Sequence, residues 1–262
     1  MVPPWVPDVP PAAAPAEQAP GTPEPVTPPT PAPASSILAS PNRFTTARKS
    51  IGKFASEGGS SGMRRGVGHF VKGGYGGAAH ATQRFRGTAA TAGVLYGVLS
   101  PSTAGGGASS EAGRLDRTLL AGKSVDEIMN AMVEATRPVD GTQDAESSRA
   151  SVKNALSELL TQFPDASLLD LTEEQRFFAI ERFVALDVFG RFCLDLEKTI
   201  LDKAPSVTIA MSRLKEVRDY IRETVAAQFK SLTKGAITAT HVSSLVLDAL
   251  KETFTVFESY AQ

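Results

Sequence analysis

The chain is 262 residues long, enough for one or two domains, with 42% apolar residues, 7% aromatics and a formal net charge of -1. Its single cysteine, Cys193, excludes an internal disulfide framework and any cysteine-rich zinc site. The start lacks the basic and apolar regions of a secretory signal, and the longest apolar run, Thr91 to Leu99, is far short of the roughly 20 residues that span a membrane. A chain of the cytoplasm, with no membrane contact, is expected.

Residues 1–41 hold most of the 18 prolines. Proline removes a backbone donor and restricts its predecessor, so pairs such as Pro3-Pro4, Pro10-Pro11 and Pro28-Pro29 predict a disordered Pro/Ala-rich tail. Trp5 is its one large apolar group and a candidate anchor for a partner, because tryptophan is enriched where interfaces concentrate their binding energy.

The next stretch, 42–100, reads as a basic, glycine-rich helical arm. It sets Arg43, Arg48, Lys49, Lys53, Arg64, Arg65, Lys72, Arg84 and Arg86 against one acid, Glu57. Asn42 is placed to cap a first helix with Phe44, Ala47, Ile51 and Phe54 on one face. Gly58 to Gly62 break it, and a short second helix carries Met63, Val67, Phe70 and Val71. Gly73 to Gly77 break the chain again before a third helix from about Ala78 to Leu99. Ala89, Gly93 and Gly97 recur there at four-residue spacing, which permits close approach of another helix.

Pro101 and Gly105 to Gly107 mark a linker over 101–110, and 111–262 reads as an all-α domain. A helix is expected around Leu115 and Leu119. Ser124 and Glu127 form a capping-box signature, as do Thr172 and Gln175. Between them lies an amphipathic stripe of Val152, Ala155, Leu156, Leu159, Leu160 and Phe163, stopped by Pro164. Phe177 to Leu201 is apolar on more than one face and predicts the central buried helix, with a bend near Gly190. Two more helices follow, one restarting at Pro205 and one from His241. The fold class is therefore all-α, a helical domain preceded by the Gly/Arg-rich arm and the Pro-rich tail.

No catalytic motif emerges. Ala121-Gly-Lys-Ser124 resembles the end of a phosphate-binding Walker loop, but Arg117 stands where its first glycine belongs and no strand precedes it. The residues read instead as a helix end followed by a cap. His69, His80 and His241 lack metal-pair spacing, and no metal or other cofactor is expected. Cys193 sits in an apolar helical pattern and reads as a buried, inert thiol. The acids of the helical half read as caps and solvated faces. Two readings stay open for the nine cations of the arm. One is contact with nucleic acid, with Lys and Arg on phosphates and the interleaved rings of Phe44, Phe54, Phe70, Tyr75, Phe85 and Tyr96 available for stacking. The other is packing of the arm on the chain's own acidic helical domain.

The run from Ile51-Gly-Lys-Phe through Met63-Arg-Arg-Gly-Val-Gly-His-Phe-Val-Lys-Gly-Gly-Tyr-Gly-Gly77, continuing to Gly93-Val-Leu-Tyr-Gly-Val-Leu99, resembles the QatB component of the bacterial Qat anti-phage defence system. Leu115 to Thr136 and Leu168-Leu-Asp-Leu-Thr-Glu-Glu-Gln175 are similar too, so the resemblance spans roughly residues 43 to 230. It implies a non-enzymatic subunit that partners a QueC-like ATP-dependent enzyme and receives a modification at its N-terminus. An ATPase and a TatD-like nuclease are the other implied partners. Members of that family begin Met-Gly, whereas this sequence begins Met1-Val2-Pro3, so no acceptor residue carries over.

Overall fold

A computed structural model describes residues 42–101, 115–232 and 239–262, with the backbone alone at 239 and 240. The tail, with Trp5, and most of the expected linker lie outside the described residues. The described residues form α1 (Thr45–Glu57), α2 (Ser60–His69), a π turn (Phe70–Tyr75), α3 (Ala78–Arg84), α4 (Arg86–Leu99), a 3-10 turn (Arg117–Leu120), α5 (Val125–Thr136), α6 (Gln143–Gln162), α7 (Glu173–Lys203), α8 (Val207–Leu232) and α9 (Ala239–Ser259). No strand occurs among them, and none of these helices is long and apolar enough to cross a membrane. The fold is all-α.

Both capping boxes close as their spacing predicts. Ser124 Oγ accepts from Glu127 N while the Glu127 carboxylate accepts from Ser124 N. Thr172 and Gln175 do the same at the start of α7. Each pair satisfies amides that the first helical turn leaves without partners. From its cap α7 runs 31 residues as one α-helix, through Gly190. Gly190 makes room for a neighbour, since a Cβ there would lie 2.7 Å from Ser147 Oγ of α6. Helix α7 is the central element, packed on α6, α8, α1 and α4, with Ile180, Phe183, Val184, Val188, Phe192, Leu196 and Ile200 fully buried.

Three local expectations differ from the structure. Asn42 does not cap α1 with its side chain; its carbonyl accepts from Thr45 N, and Phe44 holds the cap position. The third helix divides at Phe85, which leaves helical torsions (φ -91°, ψ 13°) and buries its ring 5.7 Å from Tyr75 and 4.9 Å from Phe254. Around Leu115 and Leu119 the chain makes only the 3-10 turn, with Leu119 71% exposed. Arg117 explains that turn. Its guanidinium donates to the carbonyls of Val98, Ser100 and Leu169, satisfying acceptors that α4 exposes at its C-terminus. The residue that spoils the Walker pattern thus clasps a helix end.

The basic stretch is not a separate arm. Residues 42–100 share one core with the later helices, and Ala39–Gln262 forms a single unit. Its glycines make this packing feasible. At Gly68 a Cβ would lie 2.7 Å from Phe257 O and 2.8 Å from Ala261 N, so α2 can rest on the end of α9 only with hydrogen at that position. At Gly74 a Cβ would lie 2.1 Å from the Phe44 ring. Of the expected small-residue stripe, Ala89 and Gly93 are buried, but Gly97 faces open space.

These contacts separate two glycine classes by experiment. Gly68→Ala drives a methyl into backbone atoms that cannot rotate away, and is expected to destabilise by about 2 kcal/mol or more. Gly97→Ala, in a helix with nothing nearby, is expected to stabilise by about 0.5–1 kcal/mol. Denaturant unfolding of the two variants measures both signs.

Candidate partner-binding surface

The cations of the basic stretch point outward because their helices bury the opposite faces. Ala47, Ile51, Phe54 and Ala55 are the buried side of α1, leaving Arg48, Lys49 and Lys53 exposed. Met63, Gly66, Val67 and Gly68 are buried on α2, leaving Arg64 and Arg65 exposed, and Lys72, Arg84 and Arg86 are exposed beyond it. From residue 58 to 110 the sequence contains no Asp or Glu.

The nine do not form one equivalent set. Arg43 is half-buried, its guanidinium 4.6 Å from the Phe44 ring and 5.9 Å from that of Tyr75. Arg64 lies 5.7 Å from the Tyr220 ring and 5.5 Å from the Tyr260 ring, so it covers aromatic surface as well as carrying charge. Lys53 pairs with Glu57 at 3.7 Å, and Lys72 Nζ donates to Ala261 O at 3.5 Å. Arg48, Lys49, Arg65, Arg84 and Arg86 make no side-chain hydrogen bond or ion pair among the described residues.

The interleaved aromatics are not available for stacking bases. Phe44, Phe54, Phe70, Phe85 and Tyr96 are buried, and Tyr75 is half-buried within a file of rings. The alternation of rings and cations is the amphipathic pattern of helices with a core side and a water side. What remains at the surface is positive charge without aromatic platforms.

A polar ladder on α7 went unseen in the sequence. Asp187, Arg191 and Asp195 recur every four residues and so share one face. Asp187 is only 2% exposed and accepts from Thr88 Oγ1 at 2.6 Å. Arg191 donates to Asp144 Oδ2 at 2.8 Å and lies 3.8 Å from Asp187. Tyr75 OH donates to Asp195 Oδ2 at 3.3 Å. The acids of the helical half are therefore not all caps and solvated faces; Asp187 joins α4 to α7 from inside. Four-residue spacing was its signal, but that spacing also describes any exposed helical ion pair.

Burial raises the Asp187 carboxyl above its ordinary value, ahead of the opposing pulls of Thr88, Arg191 and Ser148; nearby Asp144 raises it further. Burial raises Asp195 too, against Arg43, Tyr75 and Arg48. Cys193 is pushed up to about 12 by burial and then by Glu197, so the thiolate is disfavoured and the residue is inert. His69 is lowered by burial and the nearby Arg65 and Lys72, and His80 Nδ1 lies 3.1 Å from Gly76 O. No group of three or more His, Cys, Asp or Glu among the described residues is placed to hold a metal ion.

The Ala121 to Ser124 run ends a 3-10 turn, places Gly122 at φ 80° and makes Ser124 the cap of α5. It forms no phosphate loop. A shallow recess of about 10 Å³ lies between α6, α7 and α8 and is lined by Glu158, Arg182, Ala185, Leu186, Arg218 and Arg222.

The family model described as Qat anti-phage system associated protein QatB matches residues 76–257. The chain belongs to the QatB family. Membership makes it a subunit associated with an anti-phage defence system, with the other Qat components as partners. No curated protein and no solved structure matches the chain. The matched span covers the helices from α3 to α9, including the α7 ladder and the recess. Of the nine cations only Arg84 and Arg86 fall inside it; the other seven precede it.

The buried carboxyl yields a pH test. Below the ordinary aspartate pKa of about 3.9, Asp187 is protonated in folded and unfolded chains alike. As pH rises through that value the unfolded chain releases its proton first, so the contribution of Asp187 to stability falls until its own raised pKa is passed. Asp187→Asn keeps an acceptor for Thr88 and cannot ionise. Its stability relative to the parent should therefore rise as pH increases above about 4, as read by urea midpoints; a pH-independent difference contradicts this assignment.

Proposed function

We propose that this QatB-family chain acts as a non-catalytic subunit, bound by a QueC-like ATP-dependent enzyme of the same system and serving as that enzyme's substrate for modification at the N-terminus. The observation that carries this reading is family membership, joined to a helical body in which Glu127, Asp187 and Asp195 are engaged in a cap and in hydrogen bonds and the one thiol is packed away. Chemistry done by a partner needs from this chain a docking surface and an accessible segment. The exposed cations Arg48, Lys49, Arg65, Lys72, Arg84 and Arg86 supply positive charge for such docking, as do Arg43, Lys53 and Arg64 at its edges. Charge of this kind speeds encounter with an acidic face and sets orientation more than it adds affinity.

Intact mass of the chain purified with and without the enzyme is the test. An added mass confined to the N-terminal peptide is expected, and an unmodified N-terminus in the active complex removes the substrate role.

A second reading is favoured by the acid-free stretch 58–110: a nucleic-acid accessory that acts through charge alone. With the aromatics buried it would hold phosphates rather than stack bases. It predicts salt-sensitive binding of duplex, and Arg65→Ala with Lys72→Ala should lower the salt slope by about two, close to one for each phosphate no longer neutralised. Absence of binding at low salt rules it out.

A further inference from the structure

Partly buried arginines in this fold ordinarily find acceptors. Arg117 donates to three carbonyls, Arg149 to the Arg137 carbonyl, Arg191 to Asp144 and Arg213 to Glu216. Arg182 makes none among the described residues: its side chain is 19% exposed and stacks 4.7 Å from the Phe178 ring, and its buried Nε, like those of Arg191 and Arg213, has no hydrogen-bond partner. Glu158 and Glu181 lie 3.6 and 3.7 Å from it, near enough to compensate charge but beyond hydrogen-bond reach.

Two further guanidinium groups line the same recess and are more exposed, with side chains at 43% and 40%. Arg218 and Arg222, one turn apart on α8, each lie 3.9 Å from a single Asp219 oxygen. Lys215 already holds that carboxylate at 2.7 Å. Neither arginine makes a side-chain hydrogen bond among the described residues. Burial raises the Glu181 carboxyl above its ordinary value, against the pull of Arg182 and then of Lys230 and Arg222. Each guanidinium carries five donors in a fixed planar fork matched to carboxylate geometry. Three such forks therefore face one opening with Glu158 as the sole acid of its lining. Beneath them Ala185 and the half-buried Leu186 give an apolar floor.

We propose that this recess is a docking point for an acidic side chain carried by another Qat component. The incoming carboxylate sits between Arg182, Arg218 and Arg222, with an apolar neighbour of the partner segment on Ala185 and Leu186. The inference needs the partnership that family membership supplies, and it does not require the N-terminal modification. It also places a contact within α6 to α8, separate from the basic stretch. Of the three, Arg182 is the one substantially desolvated, so a charge-assisted pair contributes most there, while the more exposed Arg218 and Arg222 attract and orient the incoming carboxylate.

The experiment co-expresses the full chain with the other components of its Qat system and measures the affinity of the purified complex. Arg218→Gln with Arg222→Gln should weaken it about tenfold or more, while Lys198→Gln, an exposed cation outside the recess, leaves it unchanged. Arg182→Gln provides a second disruption from the α7 side, and thermal unfolding checks that each variant is folded. A complex indifferent to both recess variants overturns the inference and leaves the proposed function standing. Failure of the parent chain to hold any component overturns both. Millimolar inorganic phosphate is the third arm: if it shifts the arginine Nε–Hε signals and leaves the complex intact, the recess takes a free oxyanion, and the docking role is overturned.

Discussion

Seven rings run in file through the body: Phe44, Phe70, Tyr75, Phe85, Phe254, Phe257 and Tyr220. Successive centroids lie between 4.9 and 6.4 Å apart. Phe192 of α7 joins at Phe70, at 5.4 Å. The file begins at the start of the basic stretch and ends on α8 and α9, so it ties the first helices to the last. Offset and edge-on contacts of this kind add about 0.5–1.5 kcal/mol per pair beyond the area they bury. A glycine-rich stretch loses much conformational freedom on ordering, and the rings offset that loss.

The same packing decides what the surface is. Rings that sink into the core leave arginines and lysines on the outer side of each helix. The result is a positive face that attracts anionic partners at long range but has no aromatic platform with which to read bases. Specific contact must come from places where polar groups are held and unsatisfied. The recess between α6, α7 and α8 has that property. The α7 ladder is better supplied, since Asp187 accepts from Thr88, Arg191 donates to Asp144 and Asp195 accepts from Tyr75, with only Arg191 Nε left without a hydrogen bond.

Glycine had two meanings in this chain, and only contacts separate them. Gly68 and Gly74 are seats for the backbone of α9 and the ring of Phe44. Gly87 and Gly97 are helical positions with nothing nearby. In the sequence all four belong to one glycine-rich run. The glycine-rich helical stretch packs as a tightly crossed set of short helices because its side chains are absent where helices meet.

Local signals were legible without coordinates wherever the partners lie within a few residues. The capping boxes at Ser124 and Thr172, the stop at Pro164, the apolar stripe of α6 and the buried character of α7 all depend on neighbours close in sequence. The family resemblance rests likewise on order along the chain. Tertiary structure alone decided the rest. It broke the third helix at Phe85, because that ring had to reach Tyr75 and Phe254. It made Arg117 a clasp rather than a flaw in a phosphate loop, because its acceptors are 17 and more residues away. It turned Asp187 inward, and left Arg182, Arg218 and Arg222 facing one opening without acceptors. Whether a charge is solvated, paired or left waiting depends on groups brought together from distant helices, and spacing along the chain carries no record of that.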